Sequence, residues 1–208
     1  MMWVTPALLN SSFFRAVPIL PKNNPETILL ILSSDHNIKN LNKFINSIKN
    51  SIALAKENKL VIFGVNPTFP STGYGYIKSF DELDQNNYEA VKVEKFIEKP
   101  GIEAAQKIFR DKKYSWNSGM FVFKASTILT ELEKFNPEII KHTKECLLRS
   151  KVDLDFIRLN MKDFLKCQNI SIDYAVLEKT TNAFVIPLNC GWNDIGSWES
   201  VWSFSEKD

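Results

Sequence analysis

The sequence predicts an α/β domain, and three stretches carry that prediction. Residues 27–32, TILLIL, form a continuous apolar run of strand length, which suits a strand buried on both faces. From Ile38 the apolar residues Leu41, Phe44, Ile45, Ile48, Ile52 and Ala55 recur at helical spacing and predict an amphipathic helix over 38–57. Residues 59–65, KLVIFGV, form a second buried strand. Strand, helix and strand in that order make a βαβ unit with a right-handed crossover.

Composition sets the frame for these elements. With 208 residues the chain is about one large domain, long enough to bury roughly 70% of the surface its unfolded form exposes. Hydrophobic residues make up 44% and charged ones 24%, which argues against both disorder and a membrane protein. The net charge of +2 comes from lysines scattered among acids, without the basic run that a nucleic acid or membrane surface would attract. A small anionic substrate is compatible with that balance. Cys146, Cys167 and Cys190 lie far apart without zinc-site spacing and read as reduced thiols of a cytoplasmic protein. Residues 1–22 are fairly apolar, but Asn10, Ser11, Ser12 and Arg15 interrupt them and no basic segment precedes them. Neither a signal peptide nor a spanning helix is expected.

Along the chain, residues 1–25 are cut by prolines at 6, 18 and 21, show no sustained period, and read as an irregular segment. The strand over 27–32 ends at Ser33-Ser34-Asp35-His36, the carboxyl end of a central strand, where open α/β sheets place their ligands. After the strand over 59–65, NPTFPSTGYGYI has prolines that fix an extended loop and Gly73 and Gly75 alternating with tyrosines. It lacks the third glycine and following helix of a dinucleotide fingerprint. Two readings stay open: a glycine turn leading into a strand, or glycine backbone lying against a sugar ring. Residues 81–89 read as a hairpin tip, and 91–100 as a strand with one exposed face, stopped by Pro100. Glu98 and Lys99 at its end would point to opposite faces unless a bulge intervenes; by themselves they could be a solvated pair. A short helix over 102–110 would turn Ala105, Ile108 and Phe109 inward.

Residues 116–123, WNSGMFVF, read as an apolar strand whose Asn117 and Ser118 need polar partners in the protein or in a ligand. Helices are expected over 126–135 with Ser126 as N-cap, over 138–148 after Pro137, and over 152–160. SIDYAVLEK, 171–179, begins with a capping Ser171, and Asp173 in the first turn would complement the helix dipole with no ligand needed. A last strand over 183–187 leads to GWNDIGSW, 191–198. Here Gly191 and Gly196 permit a tight turn, Trp192 and Trp198 anchor it, and Asp194 is the single acid. Asp194 could cap a helix beginning near Ser197, or it could join Asp35 in holding a hard cation such as Mg²⁺, which is usually bound by one or two carboxylates completed by phosphate oxygens and water.

Taken together, LLILSSDH, PTFPSTGYGYI, FIEKPG, WNSGMFVF, SIDYAVLEK and GWNDIGSW resemble, in order and spacing, the sugar-nucleotide pyrophosphorylases and within them the bacterial mannose-1-phosphate guanylyltransferases. The resemblance runs from about residue 27 to 202. It implies a Rossmann-like nucleotide-diphospho-sugar transferase fold, a mixed central sheet flanked by helices. Residues 1–25 would precede a partial nucleotidyltransferase domain over 26–208 that carries the sugar-phosphate and metal sites. The implied reaction is attack of a sugar 1-phosphate oxygen on the α-phosphorus of a nucleoside triphosphate, with pyrophosphate leaving; here GTP and mannose 1-phosphate would give GDP-mannose. UTP, dTTP or ATP with glucose 1-phosphate is the competing pair. Carried over residue by residue, the resemblance makes Asp35 and Asp194 the Mg²⁺ ligands. Glu98 would accept sugar hydroxyls and Lys99 would contact the sugar phosphate. Gly73, Tyr74 and Asn117 would line the sugar pocket, with Asp173 a further contact.

One departure stands out. Relatives begin with a glycine-rich loop, G-x-G-x-R, and a proline-lysine pair that hold the triphosphate, whereas no glycine occurs here before Gly64. The expectation is an N-terminally truncated copy, inactive by itself, that uses GTP only when the missing half is supplied. A split enzyme and a non-catalytic sugar-phosphate-binding paralogue are the alternatives. A smaller departure is Ser33, where proline is expected in relatives. Oligomeric state is left open, a homo-oligomer included.

Overall fold

The computed structural model describes residues 2–6 by their backbone, and residues 24–154, 156–195 and 202. Its centre is a seven-stranded mixed sheet made of β1 (Met2–Pro6), β2 (Ile28–Leu32), β4 (Leu60–Val65), β5 (Tyr76–Ser79), β6 (Val91–Ile97), β7 (Tyr114–Lys124) and β10 (Ala183–Pro187), in the order β1-β2-β7-β4-β10-β6-β5. Both expected buried strands are present. They run parallel to each other but are not neighbours, because β7 lies between them and antiparallel to both. β1 adds in parallel to β2, so part of the stretch expected to be irregular is a strand. Met2–Pro6 borrows its order from β2, which supplies hydrogen bonds that no local period announces.

Alternation along the strands divides the core in two. Leu29 and Ile31 of β2, Leu60 and Ile62 of β4, and Phe121 and Phe123 of β7 face one layer, while Leu30, Val61, Phe63, Met120 and Val122 face the other. The second layer is α1 (Leu41–Lys56), which buries Phe44, Ser47, Ser51 and Ala55. Leu41 and Ile45, expected inside, are exposed; Ser47 takes an inner position because its hydroxyl donates to the Pro187 carbonyl at 3.0 Å. The first layer holds α3 (Ala125–Phe135), α4 (Pro137–Leu148) and a π-helical turn over Asp173–Leu177. Between β6 and β7 lies α2 (Ile102–Phe109), which buries Ala105 and Ile108 but leaves Phe109 exposed.

Other expectations need correction. α1 starts at Leu41, not Ile38, because Asn40 caps it through its side chain, accepting from Lys43 N at 3.0 Å, and His36–Ile38 is a short strand, β3. Ser126 lies inside α3 and caps nothing; Lys124 holds the N-cap position without a side-chain bond. The helix expected over 152–160 is a hairpin of β8 (Lys151–Asp153) and β9 (Phe156–Arg158), with Val152 opposite Ile157. Leu154 at φ +53° breaks a helix here and fits a turn between the two short strands. The expected α-helix over 171–179 is replaced by the five-residue π-helical turn, in which Glu178 N donates to Asp173 O at 2.9 Å. A four-residue helix, α5 (Met161–Phe164), follows the hairpin. Among the described residues no helix is long and apolar enough to cross a membrane.

β7 decides where a ligand could sit. Its residues 114–116 pair with β5 and residues 121–124 with β2, while β4 holds the opposite edge. The strand passes from one neighbour to the next at Asn117-Ser118-Gly119, where Gly119 has φ +70°. This curl brings β4 close to its neighbours: a Cβ on Gly64 would lie 2.5 Å from Ser115 Oγ and 2.7 Å from Val185 Cγ2. Glycine is required there for the sheet to close up.

Candidate active site

The two distant acids meet through a small antiparallel pair. β11 (Trp192–Asp194) runs against β3 with Trp192 opposite Ile38 and Asp194 opposite His36, and Ile195 N donates to Asp35 O at 2.9 Å. One donor atom each from Asp35, His36 and Asp194 lie within 4.8 Å of one another. The turn before β11 needs Gly191, at φ +67°, where a Cβ would meet Lys39 Cβ at 2.9 Å. The indole Nε1 of Trp192 donates to His36 Nδ1 at 3.2 Å, and the two rings meet edge-on at 5.3 Å. Burial lowers the His36 pKa against the opposing pull of the Asp194 and Asp35 charges, so the ring is predominantly neutral near pH 7. Gly196, Ser197 and Trp198 lie outside the described residues, and with them the alternative in which Asp194 caps a helix.

From this rim a cleft of about 490 Å³ runs into the sheet, lined by His36 and by Asp194, Gly73, Tyr74, Glu98, Lys99, Asn117 and Asp173; of the residues singled out from the sequence, Asp35 stands outside this lining, beside His36 at the rim. Tyr74 packs edge-on against Trp116 at 5.0 Å and Trp192 at 5.7 Å, making an aromatic wall. Burial, with the Asp194 charge behind it, raises the Tyr74 phenol pKa and keeps the hydroxyl a donor.

Glu98 and Lys99 do not point apart. β6 ends at Ile97 and Lys99 adopts φ +43°, a left-handed conformation that turns both side chains into the cleft, Lys99 Nζ 3.3 Å from Glu98 Oε1. The carboxylate side chain is only 11% exposed and the ammonium side chain 63%, so the lysine keeps freedom to reach an anion. Gly75 makes room for that carboxylate: a Cβ there would sit 2.5 Å from Glu98 Oε2. Gly73 is different, since a Cβ would touch only Ser71 Oγ, at 3.7 Å.

At the cleft floor, Asn117 Nδ2 donates to Asp173 Oδ1 at 3.2 Å while Asn117 Oδ1 accepts from Gly119 N at 3.0 Å. The Asp173 carboxyl is pushed from 3.8 to about 6, first by burial and then by the Glu98 charge. Sequence reasoning missed two participants, His36 and Gly75. For His36 the available signal was its place beside Asp35; for Gly75 it was a second glycine immediately before a strand.

A sheet whose strand ends bring two carboxylates beside a lysine-bearing, polar cleft suits transfer chemistry on polyanions. The family model for nucleotidyl transferase matches residues 11–208, and the chain belongs to that family. Within it, the chain is 43% identical to a mannose-1-phosphate guanylyltransferase of Escherichia coli over 189 residues, 90% of this chain and 40% of that protein. It is also 43% identical to mannose-1-phosphate guanylyltransferase RfbM of Salmonella typhimurium, over 89% of this chain and 38% of the relative. The chain thus spans about two fifths of the length of these curated relatives. Among solved structures, a Helicobacter pylori protein described as mannose-6-phosphate isomerase superposes with a TM-score of 0.79 at 32% identity, covering 93% of this chain and 74% of that one.

Proposed function

We propose that the chain carries the sugar-phosphate and metal sites of an enzyme that joins GTP and mannose 1-phosphate into GDP-mannose. The observation that carries this reading is the meeting of Asp35 and Asp194 at the mouth of the cleft that holds Glu98 and Lys99. The names of the relatives support the ligand, since guanylyltransferase and isomerase alike are named for a mannose phosphate.

In the reaction, an oxygen of the sugar phosphate forms a bond to the α-phosphorus as the bond to the β-phosphate oxygen breaks, and pyrophosphate carries the electron pair away. The protein's work is alignment and charge neutralisation. Lys99 would hold the sugar phosphate, and Glu98 would accept hydrogen bonds from sugar hydroxyls. Tyr74 and the Gly73 backbone would wall the ring, and Asn117, oriented by Asp173, would present its amide to it. The oxygen donors of Asp35 and Asp194 fit a hard ion such as Mg²⁺, with places left for phosphate and water. Bound there, Mg²⁺ would neutralise charge on the phosphates being exchanged.

Mannose 1-phosphate is expected to bind in this cleft in the presence of Mg²⁺. Pyrophosphate release decides the base and sugar. The triphosphate-binding stretch of a relative is supplied, and GTP, UTP, dTTP and ATP are each paired with mannose 1-phosphate and glucose 1-phosphate. Turnover of UTP with glucose 1-phosphate, and not of the GTP pair, would reject the assignment.

A further inference from the structure

We propose that His36 enters the site as a neutral hydrogen-bond donor to anionic oxygen and not as a third metal ligand. The inference rests on the reading of Asp35 and Asp194 given above, and it concerns the one member of that cluster whose role the cluster alone leaves ambiguous. An indole nitrogen is a donor only. With Trp192 Nε1 at 3.2 Å from His36 Nδ1, that ring nitrogen must present its lone pair to the indole. In a neutral imidazole the proton then sits on Nε2. A protonated nitrogen cannot coordinate an ion, and Nδ1 could do so only by surrendering the indole.

The indole is not free to leave. The β3–β11 register places it, its ring packs edge-on against both His36 and Tyr74, and the turn before it depends on the left-handed Gly191. A nitrogen ligand would also be a poor match for a hard, oxygen-seeking cation beside two carboxylates. His36 lines the cleft with Asp194, Tyr74 and Lys99, so Nε2–H is its remaining polar atom for whatever the cleft binds. A neutral donor there adds a hydrogen bond to a phosphate oxygen without adding a cation that would compete with the metal. That oxygen could belong to the sugar phosphate or to the pyrophosphate part of the nucleotide.

The chain has only two histidines, so two-bond ¹⁵N–¹H spectra of the imidazoles, assigned with His142→Gln, read the tautomer directly. The expected result is a lone pair on His36 Nδ1 and a proton on Nε2, both retained when Mg²⁺ is added. Mannose 1-phosphate and pyrophosphate are then titrated separately with Mg²⁺; the anion that moves the Nε2–H signal is the one it contacts. A proton on Nδ1, a nitrogen seen coordinated to Mn²⁺ by spin-echo spectroscopy, or an Nε2–H signal that neither anion moves would each overturn the inference. Variants give an independent arm. His36→Gln returns an amide N–H near the Nε2 position and should hold the Kd of the responding anion within about threefold, whereas His36→Asn keeps an acceptor for the indole but loses the donor and should weaken it about tenfold, the worth of one hydrogen bond to a charged group. Mn²⁺ affinity should change less than about threefold in both, and a tenfold loss would also count against the donor role. Asp194→Asn separates the two levels: Mn²⁺ affinity that survives it defeats the metal reading, while the tautomer spectra still judge His36.

Discussion

The acid rim and the sugar pocket share one cleft but hold their charges in different ways. At the rim, Asp35 and Asp194 are brought together by the backbone pairing of two strands of three residues each, and Asp35 stays exposed. In the pocket, Asp173 is buried and Glu98 half-buried, and both are tied to side chains, Asp173 to Asn117 and Glu98 to Lys99. Like charges held close at the rim repel each other, and a divalent cation relieves that repulsion; in the pocket Asn117 holds Asp173 and Lys99 holds Glu98. The rim is thus arranged to gain from an ion, whereas the pocket is arranged to hold its shape before a ligand arrives.

The largest effect should come from removing a rim charge. If the proposed reaction holds, Asp194→Asn and Asp35→Asn should each cost roughly 100-fold or more in Mg²⁺-dependent nucleotidyl transfer measured with the triphosphate-binding stretch supplied, about 3 kcal/mol of transition-state stabilisation. Thermal unfolding should be nearly unchanged, because backbone pairs position these residues. Retained activity in either variant would remove the metal role and with it the contrast between the two regions.

In the pocket the same kind of change should act on stability itself. The Asp173 carboxyl titrates at about 6 in the folded chain against an ordinary 3.8. Below the ordinary value both folded and unfolded chains keep the proton, and the group's contribution is fully present. As pH rises from there the unfolded chain ionises first, stability falls, and the loss is complete above the folded value. Asp173→Asn should therefore raise stability at pH 7.5 by about 2–3 kcal/mol and flatten the profile between about pH 4 and 6, as measured by denaturant unfolding. A variant no more stable than the wild type at pH 7.5 would mean that the buried carboxylate is already compensated. A group that destabilises its own fold at neutral pH fits a binding pocket better than a structural core.

The two glycines of the TGYG loop sharpen the point at smaller scale. Gly75→Ala drives a methyl to 2.5 Å from Glu98 Oε2 and 3.0 Å from the Phe96 ring, and should cost about 1–3 kcal/mol while displacing the carboxylate. Gly73→Ala meets only Ser71 Oγ at 3.7 Å and should leave stability within about 0.5 kcal/mol. Its effect should appear instead as weaker mannose 1-phosphate binding by calorimetry. Equal stability losses in the two variants would contradict the division between a glycine that serves the fold and one that faces the ligand.

What the sequence could show follows from the same division. The buried strands were legible because 27–32 and 59–65 are apolar on both faces, a pattern that local composition records. The convergence of Asp35 with Asp194 came from the order of six motifs, not from any period, since β3 and β11 are too short to carry one. The residues named for the pocket do line one cleft, but the way Glu98 and Lys99 both reach it was hidden in one backbone angle at Lys99. His36 was passed over because its partner, Trp192, becomes a neighbour only through the β3–β11 register. Strands of only three residues on each side of a turn are too short to show a period, which let 152–160 pass for helix, and parallel pairing of Met2–Pro6 to β2 left no local mark.

The smallest predicted effect tests whether the rim depends on α1. Asn40 follows β3 almost directly, its amide donates to Cys190 O at 2.9 Å, and its side chain accepts from Lys43 N at 3.0 Å. One residue thus ties the start of α1 to the turn that launches β11. Asn40→Ala keeps the backbone bond and loses only the cap, so it should lower stability by about 1 kcal/mol in denaturant unfolding. Ser126→Ala, at a position that caps nothing, should cost less than about 0.5 kcal/mol. If the register of β3 against β11 depends on the helix start, Asn40→Ala should also weaken Mn²⁺ binding while leaving mannose 1-phosphate affinity measured without metal unchanged. If it weakens both equally, the rim and the pocket respond as one unit, and the distinction between a backbone-held rim and a side-chain-held pocket no longer describes how the cleft is built.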